Sequence, residues 1–373
     1  MDKVKLGIIG YGKIGSQHGR SFLAGKVPEV KLAAVADIDP ERLAVAKKDF
    51  GEDLPVFSTA GELIHSGICE AVLIAVPHYY HPSIAIEAME AGLHVMVEKP
   101  AGVYTKQVER MDQVAAKHPE LVYCMDFNQR TNPLYRKVKE LLDSGELGQM
   151  KRVIWIVTDW YRSQSYYDQG GWRATWDGEG GGVLLNQNPH NLDLWQWMCG
   201  MPKRVKANVY YGKHRNIEVE DDVTALVEYE NGAVGCYITT VGDAPGTNRL
   251  EIDGERGKIV VEDGKLTFYR LRVPEPEFNA SYTGGLGKPE VWKCEIPIKG
   301  TYTSHPGMIS NFCQAIREGK PRIAPGEEGI RGLEISNAIH LSSWLDGQWV
   351  DLPLDGDLFL EKLKERCKGA VIE

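Results

Sequence analysis

The first third of the chain alternates short apolar runs with stretches of helical character. The runs VKLGIIG, LAAVAD, AVLIAVP, HVMVEKP and LVYCMD are separated by helices predicted to begin near residues 14, 40, 82 and 105. Apolar runs that alternate with helices are typical of a parallel sheet covered by helices on both faces. The pattern therefore predicts a doubly wound α/β domain over residues 1–125.

The pattern changes after a helix predicted over residues 133–142. Asn-Gly in EYENGAVGCYI and Asp-Gly in IVVEDGKLTFY mark two β-hairpins, because both dipeptides tolerate positive φ. Further helices are predicted over residues 189–198, 306–317 and 327–345. We expect residues 126–373 to form an α+β domain with a large, open, mostly antiparallel sheet.

Composition and length are compatible with these two domains. The 373 residues exceed the usual size of one hydrophobic core. A net charge of −9 without a dense Lys/Arg run argues against a nucleic-acid partner, and no apolar run is long enough to span a bilayer. The chain enters its first strand at once, with no signal-peptide pattern, so we expect a cytoplasmic protein that acts on small molecules.

Neither cysteines nor histidines form a recognisable metal motif. The seven cysteines are scattered and never spaced as CxxC, which predicts free thiols. His78 and His81 lie three residues apart, but no third ligand follows at a metal-site spacing. The sequence therefore predicts no metal site.

The strongest local motif is a glycine loop directly after the first strand. Gly10-Tyr11-Gly12-Lys13-Ile14-Gly15 is a GxGxxG that opens a helix, which is the context of a dinucleotide-binding loop. Asp37 ends the second strand, where a carboxylate accepts hydrogen bonds from a ribose diol and repels a 2′-phosphate. The cofactor is therefore predicted to be NAD, with NADP disfavoured, although Arg42 lies close enough in sequence to weaken this preference.

Two further segments carry candidate catalytic groups. Glu98-Lys99-Pro100 ends the fifth strand, at the sheet edge where doubly wound proteins bind ligands. Lys99 is either a group that polarises an alcohol oxygen or a solvated lysine at a strand end. His190 follows a triple glycine and Asn186, and it is either a core histidine or a proton-transfer group. Asn188-Pro189 places His190 at a helix N-terminus, where the dipole favours the neutral ring.

Aromatic side chains are concentrated in one region. Six of the nine tryptophans fall between residues 155 and 197. Aromatic faces suit the C–H faces of sugar rings, but tryptophans also fill cores and subunit contacts. The candidates for sugar contacts are those in Gly-rich and polar loops, together with two arginines: Trp160, Trp172, Trp176, Arg173 and Arg130.

Taken in order, these segments resemble the Gfo/Idh/MocA oxidoreductase family, the group of glucose-fructose oxidoreductase and inositol dehydrogenase. The resemblance rests on GIIGYGKIG, Asp37, AVPHYYHPSIAIEAMEAGLHVMVEKP and GGGVLLNQNPHNLDL, and it covers nearly the whole chain. It implies a Rossmann domain followed by a domain for substrate binding and oligomerisation, with homodimers or tetramers formed through the C-terminal sheet.

The resemblance also implies roles for single residues. Lys99 and His190 would lie at the reacting carbon, with Glu98 supporting the strand end. Pro77, His78 and His81 would lie near the nicotinamide and its ribose. The family commonly has an aspartate where this chain has Asn186, so the usual Asp–His partnership is altered.

The leading hypothesis is an NAD(P)-dependent oxidoreductase that transfers a hydride to or from a secondary alcohol of a sugar, glycoside or inositol. One alternative is an NAD-dependent glycoside hydrolase that uses transient oxidation of the sugar. The other is a non-catalytic regulatory protein that uses the nucleotide fold as a sensor.

Overall fold

The apolar runs of the first third become the strands of a parallel sheet in the computed structural model, which describes residues 2–369. Up to residue 131 the strands and helices are β1 (Val4–Ile9), α1 (Lys13–Leu23), β2 (Val30–Ala36), α2 (Pro40–Phe50), β3 (Val56–Phe57), α3 (Ala60–Ile64), β4 (Ala71–Ile74), α4 (His81–Glu90), β5 (His94–Val97), α5 (Thr105–Ala115) and β6 (Tyr123–Met125). The six strands are all parallel, in the order β3-β2-β1-β4-β5-β6. This confirms the predicted doubly wound sheet.

The middle of the chain is mostly β-structure. Its elements are α6 (Pro133–Asp143), β7 (Met150–Val157), α7 (Gln164–Tyr167), α8 (Pro189–Cys199), β8 (Arg204–Tyr211), β9 (Glu220–Glu228), β10 (Val234–Thr240), β11 (Asn248–Gly254), β12 (Gly257–Glu262), β13 (Lys265–Leu271), α9 (Glu275–Ser281) and β14 (Val291–Ile296). The remaining elements are α10 (Ser304–Glu318), α11 (Gly329–Trp344), β15 (Val350–Asp351) and α12 (Gly356–Lys364).

The second sheet has nine strands in the order β14-β13-β12-β11-β7-β10-β9-β8-β15. Every neighbouring pair is antiparallel except β7 and β10, which run parallel. Both predicted hairpins are present, β9–β10 and β12–β13. The second turn has positive φ at Asp263 and Gly264, as an Asp-Gly hairpin requires. The mostly antiparallel second sheet is therefore confirmed.

The chain divides into two compact units that differ from the predicted boundary at residue 125. The first unit runs to Thr131 and also includes Thr303–Leu333, whereas the second consists of Asn132–Tyr302 and the chain from Glu334 onward. The return occurs because α10 packs beside α1 and β5 of the first sheet. Residues 126–131 and 303–333, which the sequence analysis assigned to the second domain, thus belong to the first unit.

Each unit has its own core. In the first, Ile8 and Val35 of adjacent strands are fully buried and pack with Tyr11 and Ala46. In the second, Trp155 of β7 is fully buried, and its ring lies 6.5 Å from the rings of both Trp195 and Tyr237. The helix that carries Trp195 is thereby packed against the sheet by apolar burial.

Two expectations drawn from composition can be compared with the structure. All seven cysteines are free thiols, as predicted. Within residues 2–369, none of the helices has the length and apolar character needed to cross a membrane.

Candidate active site

The glycine loop joins β1 to α1 in a conformation that leaves no room for a side chain at two of its glycines. Gly10 has φ of 91°, and a Cβ atom there would lie 2.5 Å from the carbonyl oxygen of Ala75. A Cβ atom on Gly15 would lie 2.0 Å from the carbonyl oxygen of Gly10. Gly12 is the N-cap residue of α1 and brings no side chain to cap it. The loop therefore fits a dinucleotide pyrophosphate, which would be held by the N-terminal amides of the helix.

Asp37 lies at this loop. Its Oδ2 accepts a hydrogen bond from the backbone N–H of Tyr11 at 2.6 Å, and its Oδ1 accepts one from Asp39 at 2.9 Å. Arg42 also lies near the loop, with Nη1 3.3 Å from the position of a Cβ atom on Gly12. Asp37, the carboxylate predicted to accept hydrogen bonds from the ribose, and Arg42, the cation that would weaken the preference for NAD, therefore both lie at the glycine loop.

The remaining predicted cofactor residues follow the ends of neighbouring strands. β1, β4 and β5 are adjacent and parallel, so Gly10, Pro77 and Lys99 come after strands that end at one edge of the sheet. In folds of this class ligands bind at this edge, next to the point where the strand order reverses. Lys13 and Ile14 begin α1 at the same edge.

His81 joins two of these strand ends. It is 1% exposed, with Nδ1 2.7 Å from the carbonyl oxygen of Pro100 and Nε2 2.7 Å from that of Val76. Burial lowers the pKa of His81 despite these two contacts. The ring of His78, which is also buried, lies 6.0 Å from that of His81. His81 thus fixes the segments after β4 and β5 relative to each other.

Glu98 is buried directly before Lys99. Its Oε1 lies 2.6 Å from Nε2 of His18, and its Oε2 accepts a hydrogen bond from the backbone N–H of Lys99 at 3.2 Å. Burial opposes ionisation of Glu98, but the hydrogen bond and charge of His18 outweigh burial and lower its pKa to about 2. Glu98 is therefore hydrogen-bonded to the strand end that carries Lys99, the position from which the resemblance implies a supporting role.

In the second unit, the triple glycine leads into a π-helical turn over Val183–Gln187. The fully buried Glu220 holds this turn: its two oxygens accept hydrogen bonds from Gly182 at 2.7 Å and Leu184 at 2.8 Å. A Cβ atom on Gly182 would lie 2.1 Å from the carbonyl oxygen of Glu220, so the close approach requires glycine. Glu220 was not predicted as a site residue because it lies far along the chain, in β9.

Asn186, within this turn, has a carboxylate partner that the sequence analysis also missed. Its Nδ2 donates a hydrogen bond to Oε1 of Glu179, which is 1% exposed. The other oxygen of Glu179 accepts from the backbone N–H of Ala174 at 2.7 Å. This chain has asparagine where the family commonly has aspartate, but the carboxylate of Glu179 contacts the side chain at that position.

His190 lies at the start of α8, as predicted. Asn188 is the N-cap residue and Pro189 the first residue of the helix. The side chain of Asn188 does not cap the helix; it donates a hydrogen bond to Oγ1 of Thr239. His190 therefore lies in the first turn, near the positive end of the helix dipole.

Two of the predicted sugar contacts occupy core positions instead. Arg130 is 1% exposed, and its Nη1 pairs with Oε2 of Glu328 at 2.5 Å. Trp176 is 6% exposed and packs against the rings of His340 and Trp344, at 5.5 and 5.7 Å. An internal ion pair buries Arg130 and aromatic packing buries Trp176, and the sequence did not predict this burial.

The other three candidates lie closer to the surface. Trp172 is 38% exposed, with the guanidinium of Arg173 4.9 Å from its ring centroid. Arg173 also donates to the hydroxyl of Tyr166 at 2.8 Å. Trp160 lies beneath the guanidinium of Arg162, at 5.3 Å. These cation–π pairs leave Trp160, Trp172 and Arg173 as candidates for ligand contacts.

Comparisons with known proteins agree with this geometry. Residues 4–125 match the family model of oxidoreductases with an NAD-binding Rossmann fold, and residues 135–260 match that of the GFO/IDH/MocA C-terminal domain. Levoglucosan dehydrogenase of Pseudarthrobacter phenanthrenivorans is 26% identical, over 95% of this chain and 99% of the relative.

Two other relatives have different named ligands. The 1-carboxy-3-chloro-3,4-dihydroxycyclohexa-1,5-diene dehydrogenase of Comamonas testosteroni is 30% identical, over 83% of this chain and 77% of the relative. The crystal structure of the WlbA dehydrogenase from Bordetella pertussis, in complex with NADH and UDP-GlcNAcA, is 27% identical with a TM-score of 0.80, and covers 95% of this chain and 99% of that one. The chain belongs to the GFO/IDH/MocA family of NAD-binding oxidoreductases.

Proposed function

We propose that this protein is an NAD-preferring dehydrogenase or reductase that acts on a secondary alcohol of a sugar, glycoside or inositol ring. The observation that carries the proposal is the common sheet edge reached by the glycine loop, Asp37 and Lys99. The named ligands of the relatives support the substrate class, because levoglucosan, UDP-GlcNAcA and the dihydroxycyclohexadiene are hydroxyl-bearing rings.

Proton transfer is assigned to the chain's own side chains. The bound nicotinamide supplies the hydride acceptor or donor. During alcohol oxidation, the ammonium of Lys99 would stabilise negative charge on the alcohol oxygen, and neutral His190 would accept the hydroxyl proton. The carbon loses a hydride, the oxygen loses a proton, and a ketone forms. The reverse direction uses the same two groups with imidazolium as the proton donor.

A substrate panel tests this proposal. Purified protein is incubated with NAD or NADP and with levoglucosan, inositols, free sugars, glycosides and UDP-sugar acids, and absorbance at 340 nm is followed. We expect NADH formation with at least one ring alcohol. Release of a free sugar without NADH would instead favour the hydrolase, and NAD binding without turnover on any compound would favour the sensor.

Cofactor preference gives a sharper prediction. We expect higher kcat/KM with NAD than with NADP, because the carboxylate of Asp37 lies at the glycine loop. Asp37→Ala should lower kcat/KM for NAD by about tenfold or more, as expected for the loss of hydrogen bonds to a charged acceptor. The ratio of kcat/KM with NAD to kcat/KM with NADP should therefore fall toward one.

The informative quantity is this ratio, because Asp37 also binds the loop backbone and its loss affects both cofactors. Asp53→Ala, at an exposed loop position, is the matched control and should leave the ratio unchanged. Equal or better turnover of the unmodified protein with NADP would contradict the prediction and would point to Arg42 as the determinant.

Self-association through the second sheet is also part of the proposal. On one face of this sheet, Leu226, Cys236 and Ile154 are cross-strand neighbours in β9, β10 and β7, and Ile238 and Ile156 form the next row. Leu226 is 47% exposed, and the other four are partly exposed. A contiguous apolar stripe of this kind is typical of a subunit interface.

We expect light scattering after gel filtration to give a dimer or tetramer. Leu226→Glu should shift the distribution toward monomer, because it buries a charge in the interface. Val45→Glu places the same charge on an exposed position of α2 and should have no effect. A monomeric unmodified protein at micromolar concentration would rule out this surface as a stable interface.

A further inference from the structure

Four ionisable side chains converge inside the first unit, from segments far apart in the sequence. His18 lies on α1, Glu98 follows β5, Asp126 follows β6, and His305 lies on α10. One nitrogen or oxygen from each lies within 4.8 Å of the corresponding atoms of the other three. Three of them are at most 3% exposed, and the side chain of His305 is 17% exposed. We refer to these four residues as the His–carboxylate cluster.

The cluster concentrates two carboxylates in a place from which water is largely excluded. Buried carboxylates require compensation by positive charge. Oδ1 of the fully buried Asp126 has no hydrogen-bond partner among residues 2–369. Oε1 of Glu98 and Oδ2 of Asp126 contact the imidazoles of His18 and His305, and imidazoles are neutral when they act as metal ligands. Two carboxylates and two neutral imidazoles have a combined charge that one divalent cation cancels.

We propose that the His–carboxylate cluster binds one divalent first-row transition metal ion, with Zn²⁺ as its representative. Nitrogen and carboxylate oxygen ligands suit this ion class. The ligand atoms are Nε2 of His18, Oε1 of Glu98, Oδ2 of Asp126 and Nδ1 of His305.

The spacing of these atoms fits a tetrahedral site. Nε2 of His18 lies 2.6 Å from Oε1 of Glu98 and 3.8 Å from Oδ2 of Asp126. Nδ1 of His305 lies 2.9 Å from Oδ2 of Asp126 and 3.9 Å from Oε1 of Glu98. These four of the six spacings bracket the edge of about 3.3–3.4 Å that separates tetrahedral ligands bound at about 2.0–2.1 Å, and the other two are at most 4.8 Å. Small displacements of the side chains would equalise them.

Two further polar atoms of the cluster, Oε2 of Glu98 and Nε2 of His305, have partners in the residues around it. Oε2 of Glu98 accepts from the backbone N–H of Lys99 at 3.2 Å. Nε2 of His305 lies 2.9 Å from the side-chain amide nitrogen of Asn128, whose buried Oδ1 has no hydrogen-bond partner within the described part of the chain. Exchange of the two amide atoms by rotation would let Oδ1 accept the N–H of a metal-bound His305, which is the usual arrangement around ligating histidines.

Four protein ligands leave no open position for substrate, so the site is structural. The ion would crosslink α1, α10 and the segments after β5 and β6. Protons compete with the metal ion for the cluster. Burial lowers the pKa of His305, but the negative charges of Asp126 and Glu98 outweigh burial and raise this pKa to about 9. The two occupants make opposite predictions for metal content.

The test measures bound zinc in the full-length protein. Protein treated with a chelator and dialysed is given excess ZnCl₂, desalted and analysed by mass spectrometry of the elements. We expect about one zinc per chain, as a single closed site requires. Co²⁺ in place of Zn²⁺ should give the intense visible absorption of a tetrahedral complex. Both measurements use the unmodified protein and therefore do not depend on whether a variant folds.

Variants locate the site. Asp126→Asn and His305→Ala should each lower zinc affinity by at least about a hundredfold, because loss of a ligand costs no less than loss of its supporting residues. Zinc should raise the Tm of the unmodified protein and leave the Tm of both variants unchanged. His65→Ala removes an exposed histidine that pairs with Glu87 at 3.2 Å, and it should bind zinc normally.

Two outcomes would overturn the proposal. One is the absence of retained zinc and of any zinc-dependent change in Tm in the unmodified protein, which would leave protons as the occupant. The other is equal zinc content in the unmodified protein, Asp126→Asn and His305→Ala, which would place bound zinc elsewhere.

Discussion

Replacement of Lys99 by methionine should lower kcat by about a hundredfold or more, the typical effect of losing a positioned acid–base group. Methionine keeps much of the length and volume of lysine but cannot carry the ammonium that stabilises charge on the alcohol oxygen. The backbone N–H of Lys99, which donates to Glu98, is unaffected by the substitution. We therefore expect intact cofactor binding and a loss confined to the chemical step.

The measurement pairs steady-state kinetics with NADH binding followed by nicotinamide fluorescence. Lys26→Met, the same substitution at an exposed position after α1, is the control and should retain full kcat. Zinc content of Lys99→Met should match that of the unmodified protein, because the side chain is not one of the four proposed ligands. Near-normal kcat in Lys99→Met would assign the stabilising charge to another residue.

The elements that sequence reasoning predicted well are those encoded locally. The parallel strands are continuous apolar runs, and both hairpins have their turn residues between them. The glycine loop is also recognisable locally, because GxGxxG directly follows a strand and opens a helix, and Gly15 is required by the carbonyl oxygen of Gly10. The pattern that marks each of these features lies within one short segment, so a single sequence is enough to predict it.

The features that sequence reasoning missed depend on distant residues. The burial of Arg130 is set by Glu328, which lies in a segment that returns to the first unit after eight of the nine strands of the second sheet, β7 to β14. Trp176 sits in a glycine-rich loop yet packs against α11 through His340 and Trp344. Local composition correctly identified a loop, but tertiary contacts determined exposure.

The same reasoning explains why the sequence analysis predicted no metal site. Ligand sets that can be recognised in a sequence lie at short, regular spacings, and His78 and His81 are the two histidines that approach such a spacing. The His–carboxylate cluster instead takes one ligand from each of four segments, at positions 18, 98, 126 and 305. Parallel strands bring Glu98 and Asp126 to one sheet edge, but α1 and the return of α10 are needed to add the histidines.

Removal of the imidazole in His190→Ala should also lower kcat strongly, by about a hundredfold, if His190 accepts the hydroxyl proton. The support for this prediction lies in the first turn of α8, where the helix dipole favours a neutral ring. Glu179 and Glu220 hold the preceding turn through Asn186 and Gly182, so the segment that presents His190 is fixed by buried hydrogen bonds. His118→Ala, which removes a histidine that lies near Glu120, serves as the control.

Two readouts separate proton transfer from a purely structural role of His190. Protonation of His190 removes the proton acceptor, so kcat/KM for alcohol oxidation should fall on the acid side in the unmodified protein, and this fall should disappear in His190→Ala. Groups that act together in one step are not additive, so Lys99→Met combined with His190→Ala should lose much less activity than the product of the two single losses. Full activity of His190→Ala, or an unchanged acid limb together with multiplicative losses, would contradict the assignment of His190 as proton acceptor.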